Sequence, residues 1–252
     1  MTRFAVPLAI RPAVDAVVPS TAMVLAAGLG KRMRPLTATR PKPLVEVAGR
    51  SLLDRALDHL AAAGVARAVV NVHYFAEQVE AHLATREAPV VMISDERATL
   101  LETGGGVTKA LPLIDCDPFL VVNSDNLWID GTSDTLHLLA QRWDPSVMDA
   151  LLLLVPLSRA NGYEGRGDFS MDPLGRLRPR AETRVAPHVF SGVQLLSKKL
   201  FDGETATPFS MWRVWNKALA TGRLFGAVHG GLWFHVGTPA AVGETENLLA
   251  SS

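Results

Sequence analysis

The sequence has one cysteine, Cys116, in 252 residues. A single thiol excludes an intrachain disulfide and any metal site built from several cysteines. It suits a reducing compartment, and the cytoplasm is the expected location. There is no excess of charge of either sign, with 25 Lys and Arg against 25 Asp and Glu. Such a balance lacks the basic field of a nucleic-acid-binding chain. No apolar run reaches the ~18 residues that suggest a membrane span. Residues 1–20 lack the continuous apolar stretch of a signal peptide, because Arg11-Pro12 and Asp15 interrupt it. Internal repeats, low-complexity tracts and a hexapeptide β-helix pattern are also missing. What is present is ample apolar material, 48% of the residues, enough for a sizeable core. We read residues 1–20 as a loosely ordered extension and 21–252 as a single domain.

Apolar strand-like runs alternate with helical patterns from residue 22 to about 157. Strands are expected near 22–27, 68–72, 90–94, 119–122 and 149–157, and later at 189–196, 224–228 and 232–236. Helices are expected at 51–63, 76–84, 107–111, 132–143 and 210–221, with a last one from Thr238-Pro239. Ser51 and Asp54 resemble a capping box. Continuous apolar strands separated by helices predict an α/β fold with a mostly parallel sheet covered on both faces. Residues 161–187 break the pattern with Arg, Gly and Pro, and are read as a small insertion on the substrate side. Ligands of such sheets bind at the carboxyl ends of the strands, where Gly28 and Asp125 both fall.

The densest chemistry lies in Met23–Leu44. An apolar run ends in Gly28-Leu29-Gly30, then come Lys31, Arg32 and Arg34, and Pro41-Lys42-Pro43 closes the stretch. Glycines let the backbone approach a phosphate with free N–H groups. Arg32 and Lys42 add charge, and the two prolines restrict where Lys42 points. A P-loop is excluded because Arg32, not Ser or Thr, follows Lys31. A dinucleotide fingerprint is excluded because Met33 stands where its third glycine belongs.

Leu25-Ala26-Ala27-Gly28-x-Gly30-x-Arg32-Met33-x-Pro35-Leu36-Thr37, followed by Pro41-Lys42-Pro43-Leu44, resembles the signature of the sugar-1-phosphate nucleotidyltransferases. That resemblance implies a Rossmann-like, GT-A-like nucleotidyltransferase fold. It also implies a reaction, attack of a sugar 1-phosphate oxygen on the α-phosphorus of a nucleoside triphosphate with loss of pyrophosphate. It assigns the triphosphate to Gly28, Gly30, Lys31, Arg32 and Lys42. Leu101-Glu102-Thr103-Gly104-Gly105-Gly106 alone reads as a flexible turn; the resemblance gives Gly104 and Gly105 to the nucleobase, with Glu102 beside it. Asn123-Ser124-Asp125-Asn126 is similar to the family's Asn-Gly-Asp element, with Ser124 in place of Gly. Asp125 is then the Mg²⁺ ligand, Asn123 a nucleotide contact, and Arg32, Lys42 and Asp125 the catalytic set.

The Glu-Thr-Gly-Gly-Gly string, Gly165-Arg166-Gly167-Asp168-Phe169 and Phe190-Ser191-Gly192 resemble a narrower group, the N-acetylmuramate α-1-phosphate uridylyltransferases of cell-wall recycling. That group implies UTP and a sugar-phosphate role for Asp168. The alternatives are a guanylyl- or thymidylyltransferase acting on mannose, glucose or heptose 1-phosphate, and a catalytically inactive nucleotide-sugar-binding regulatory subunit. The expected partners are small-molecule substrates, with no nucleic acid or membrane, for a monomer or small homo-oligomer. One departure stands out. Trp233-Phe234-His235-Val236-Gly237-Thr238 carries His235 where the family has a second metal-binding Asp. Imidazole is a poor Mg²⁺ ligand. His235 is therefore expected behind the metal, bonding a metal-bound water or a phosphate oxygen, with activity sensitive to pH between about 6 and 7.

Overall fold

The computed structural model describes residues 16–250. After β1 (Thr21–Leu25) come single 3₁₀ turns through residue 44, then a small hairpin of β2 (Glu46–Val47) and β3 (Arg50–Ser51). Next are α1 (Leu52–Ala62), β4 (Arg67–Val72), α2 (Ala76–Leu83), β5 (Val90–Asp95), α3 (Glu102–Ala110) and β6 (Phe119–Asn123). β7 (Asn126–Ile129), α4 (Thr135–Arg142), β8 (Ala150–Pro156), β9 (Ala160–Asn161), β10 (Phe169–Met171) and β11 (Leu177–Pro179) follow. The chain ends with β12 (His188–Leu196), α5 (Trp212–Ala220), β13 (Leu224–Val228), β14 (Leu232–His235) and α6 (Pro239–Ala250).

Strands β5, β4, β1 and β6 lie side by side and parallel. The expected mostly parallel sheet is therefore present, in the order of a Rossmann half. β12 then runs antiparallel between β6 and β8, and β13 pairs in parallel with β8. The β10–β11 hairpin, from the irregular stretch 161–187, joins the start of β12 through Phe169 and His188. β1 is buried except for half-buried Leu25, and β8 except for Pro156, which explains their unbroken apolar sequences.

Two apolar layers cover the sheet. On one face α1, α2 and α4 pack Leu53, Leu57, Leu60, Val79 and Leu139 onto Val24, Val70 and Val122. On the other, α3 and α5 pack Val107, Val214 and Trp215 onto Met23, Val121 and Leu152. Each fully buried Leu contributes about 1.5–3 kcal/mol. α1 starts where the sequence predicts. Ser51 accepts the Asp54 amide at 3.0 Å, and its hydroxyl donates to Asp54 Oδ2 at 2.7 Å. The reciprocal contact of a full capping box is thus made by the Ser51 hydroxyl rather than its backbone N–H.

Four expectations change. The helix read as beginning at Val107 begins at Glu102, so the glycine triplet lies inside α3. α4 begins at Thr135, capped by Asp134, whose Oδ1 accepts the His137 amide at 2.8 Å. β7 was not expected. It pairs antiparallel with β14, which also pairs with β9, forming a second small sheet that continues from the end of β6. Of the segment read as an extension, residues 1–15 lie outside the described residues. Val18 already belongs to the core, and the Ser20 carbonyl accepts the Ala66 and Arg67 amides, so the domain begins before residue 21.

Candidate active site

The carboxyl ends of β1, β4 and β6 open on a cavity of about 410 Å³. Its floor is Leu25 to Gly28, one wall is Asn123, Ser124 and Asp125, and the other is Leu100, Glu102 and Thr103. Lys42, Pro43, Asn71 and Ser210 complete the lining. Of the residues singled out in the sequence, the structure gathers Gly28, Lys42, Glu102, Asn123 and Asp125 here. Gly28 has open space where a side chain would stand, so its backbone is accessible. Gly30 turns the loop with φ +59°, and a Cβ there would press on Lys42 Cβ and Thr37 Cγ2 at 3.0 Å. The Thr37 hydroxyl donates to the Gly30 carbonyl at 2.8 Å and ties the loop down.

Lys42 sits in a one-turn 3₁₀ helix entered through extended Pro41. It is 9% exposed and donates to Asp125 Oδ2 at 2.9 Å. Asp125 is the second residue of the two-residue turn between β6 and β7, with 32% of its side chain in contact with water. Burial alone would raise its pKa, but the Lys42 ammonium and, further off, His235 hold it below the ordinary carboxylate range. Asp125 is therefore ionised at neutral pH, an anion at the mouth of a glycine-rich loop with the Lys42 amine against it. Ser124, buried between them and β1, donates its hydroxyl to the Leu25 carbonyl at 2.8 Å and pins the turn to the loop.

His235 ends β14, opposite Asn126 in the β7 register. Its Nδ1 lies 3.1 Å from Asn126 Oδ1, so that nitrogen donates to the amide. Burial lowers its pKa; Asp125 opposes this, while Lys42 and Arg32 add to it. Burial therefore favours the neutral ring. Asn126 is held in turn by Gly192, at φ +94°, where a Cβ would collide with Asn126 Nδ2 and touch Asn123 Cβ at 3.0 Å. Sequence alone gave no role to Asn126, Asn71 or Ser124. Their only signal was position, directly after or at the end of an apolar strand.

Gly104 and Gly105 have a different use from the one expected. They do not line the cleft, and both of their amides donate to the Phe209 carbonyl, at 2.9 and 3.2 Å. The space a Cβ would fill holds the Phe209 ring at Gly104 and the Thr207 carbonyl at Gly105. The glycines let α3 dock against residues 207–209, and the cleft side of this stretch falls to Glu102, with φ +58°, and Thr103. Lys31 and Arg32 lie on an exposed 3₁₀ turn outside the lining. Asp168 is half-buried; its Oδ2 accepts the Phe190 amide at 2.8 Å, and the Tyr163 hydroxyl lies 3.5 Å from its Oδ1. It braces β12, two residues from Gly192, rather than facing the cavity. The described residues contain no group of three or more His, Cys, Asp or Glu able to hold a metal.

Residues 22–160 match the family model of the MobA-like NTP transferase domain. N-acetylmuramate alpha-1-phosphate uridylyltransferase of Caulobacter vibrioides is 45% identical over 238 residues, covering 93% of this chain and 98% of the relative. The protein of that name from Neisseria meningitidis serogroup B is 40% identical over 234 residues, covering 91% and 98%. Among solved structures, HddC from Yersinia pseudotuberculosis superposes with a TM-score of 0.73 at 22% identity, covering 91% of this chain and 99% of HddC.

Proposed function

On the premise that this chain belongs to the MobA-like NTP transferase family and is a sugar-1-phosphate nucleotidyltransferase, we propose that it makes UDP-N-acetylmuramic acid and pyrophosphate from UTP and N-acetylmuramic acid 1-phosphate. The observation that carries this is the Lys42–Asp125 pair, 2.9 Å apart at the mouth of the glycine-rich loop, in a chain 45% identical over most of its length to a protein named for this activity. The acceptor is a cell-wall sugar phosphate, which suits peptidoglycan recycling in the cytoplasm. No helix among the described residues is long and apolar enough to cross a membrane.

The chemistry needs positioning and charge more than proton transfer. The attacking oxygen belongs to a phosphate already ionised at neutral pH, so no general base is required. The triphosphate lies along Ala26 to Gly30, where the backbone approaches it closely, with Arg32 and Lys31 reaching in from the exposed turn. Lys42 faces the charge that builds on the α-phosphoryl oxygens as pyrophosphate leaves in line. Asn123 contacts the nucleotide, and Glu102 with Thr103 borders the base. Asp168 and Tyr163 orient the Phe190–Gly192 segment on the acceptor side.

The donor set fits Mg²⁺ held mostly by phosphates and water, because the turn after β6 offers one carboxylate, Asp125, beside Lys42, while the other carboxylate of the lining, Glu102, belongs to the α3 wall. When bound, the ion compensates triphosphate charge; Asp125 would hold it, exchanging its contact with Lys42 for the metal. His235, turned to Asn126, supports that turn from behind. The deciding experiment is pyrophosphate release across the four nucleoside triphosphates and a panel of sugar 1-phosphates with Mg²⁺. Turnover with UTP and N-acetylmuramic acid 1-phosphate is expected. Turnover confined to GTP or dTTP, or to mannose, glucose or heptose 1-phosphate, sinks the assignment.

A further inference from the structure

Behind the glycine-rich loop lies a buried carboxylate to which the reaction gives no direct task. Glu96 follows β5 and is 1% exposed. Each carboxylate oxygen holds one neutral donor: Oε1 accepts Asn71 Nδ2 at 2.7 Å, and Oε2 accepts the Leu101 amide at 2.9 Å. Asn71, in β4 and 2% exposed, uses its Oδ1 to accept the Ala26 amide at 2.7 Å. One line of hydrogen bonds thus runs Ala26, Asn71, Glu96, Leu101. It crosses the ends of three neighbouring strands, from the glycine-rich loop to the wall that carries Glu102 and Thr103. Gly106 of α3 packs on its middle, where a Cβ would meet Glu96 Oε1 at 2.7 Å and Asn71 Nδ2 at 3.0 Å.

We propose that Asn71 and Glu96 are positioning residues that hold the phosphate loop and the opposite wall at the separation a nucleoside triphosphate spans. The inference rests on the nucleotide occupying this cleft, as set out above. The physical reason is that the line has only one consistent assignment of donors and acceptors. The Ala26 and Leu101 amides can only donate, so Asn71 must turn its oxygen to Ala26 and its NH₂ to residue 96. Residue 96 must then accept at both ends, which a carboxylate does and an amide cannot. Glu96→Gln forces two donors together somewhere in the line. If the new side chain turns its NH₂ to Leu101, the clash is there; if to Asn71, Asn71 must flip and the clash moves to Ala26. A buried donor left unpaired is costly, and at Ala26 the cost falls on the loop that meets phosphate.

The same logic predicts its own rescue. When Asn71→Asp is combined with Glu96→Gln, the carboxylate moves to β4, where it accepts from both the Ala26 amide and the introduced glutamine NH₂. The glutamine oxygen is then free to accept from Leu101. Every donor is matched again, with the net charge unchanged. The test is steady-state kinetics of the full chain, using whichever triphosphate the wild type turns over, with thermal melts as a check of folding. Glu96→Gln and Asn71→Asp alone are each expected to raise the KM for the triphosphate about tenfold or more, the cost of one unmatched buried group. The KM for the sugar phosphate should stay within about threefold. The double variant should recover most of the loss. Gly106→Ala, which presses on the same bond without changing any polar group, should also raise the triphosphate KM. Wild-type kinetics in Glu96→Gln overturn the proposal. So does an equal rise in both KM values with no recovery in the double variant, which marks a merely structural network. A wild type that uses a triphosphate other than UTP refutes the uridylyl assignment and leaves this cycle readable.

Discussion

Replacing Lys42 by Met removes the cation and keeps the side chain's volume. Two losses are expected, and they separate experimentally. In catalysis, one electrostatic partner of the transferring phosphoryl group disappears, which typically costs ~10²–10³ in rate. In stability, Asp125 is left without the ammonium 2.9 Å away. Stranding one partner of a fully buried ion pair costs about 3–5 kcal/mol. Asp125 keeps 32% of its side chain in water, so about 1–3 kcal/mol is the scale here. The loss must depend on pH. In the wild type, Lys42 holds the Asp125 pKa below its ordinary value, a contribution present above the unfolded pKa and lost as pH falls through the folded one. In Lys42→Met, burial acts with less opposition and pushes Asp125 the other way, so its charge is a penalty at pH 7 that protonation relieves. The melting-temperature gap between wild type and variant is therefore largest near pH 7 and narrows toward pH 4. Adding Asp125→Asn removes the stranded charge and should recover part of the stability but none of the activity. Pyrophosphate-release assays and melts at both pH values test this. Activity within threefold of wild type, or a gap equal at both pH values, refutes the reasoning.

Three further outcomes follow from the geometry. Asp130, whose pKa burial would raise but His59 and Thr135 draw down to about 2, contributes stability above the ordinary carboxylate pKa that is lost as pH falls toward 2. Asp130→Asn should cost about 2 kcal/mol at pH 6 and almost nothing at pH 2, read by urea melts; a constant cost rejects the pairing. Gly192→Ala adds a Cβ at φ +94° against Asn126 and should destabilise by about 2–4 kcal/mol with loss of activity; a silent substitution means that the register shift of β12 between Phe190 and Gln194 relaxes freely. His235, neutral through burial, should give a pH–rate profile flat from about 7 to 8. An inflection at or above 6.5 that vanishes in His235→Gln contradicts the buried, neutral ring.

The sequence by itself determined the family, the parallel strands of the sheet and the position of the glycine-rich loop. These are carried by local signals: unbroken apolar strands, the Gly28-x-Gly30-x-Arg32 break, Pro-locked Lys42 and Asp125 after a strand. Each is a contiguous pattern whose physical demand, such as burial on both faces or a tight turn, is met by neighbours in sequence. The tertiary structure alone decided what depends on distant partners. β7 was invisible because Asn126 to Ile129 is a strand only through pairing with β14, over a hundred residues later. The glycine triplet alone reads as a flexible turn, and only the resemblance gave it to the base; what occupies the space beside it is not written in its own stretch of sequence. Phe209 and Thr207, which fill that space, are also about a hundred residues away. Asp168 was likewise given to the sugar phosphate by the resemblance; its contact with the Phe190 amide cannot be read until β12 is brought beside it. Asn71 and Glu96 gave no motif at all, since their fit is a match of donors and acceptors across three strand ends. Local chemistry is written in the order of residues; the pairing of buried polar groups exists only once the strands lie side by side.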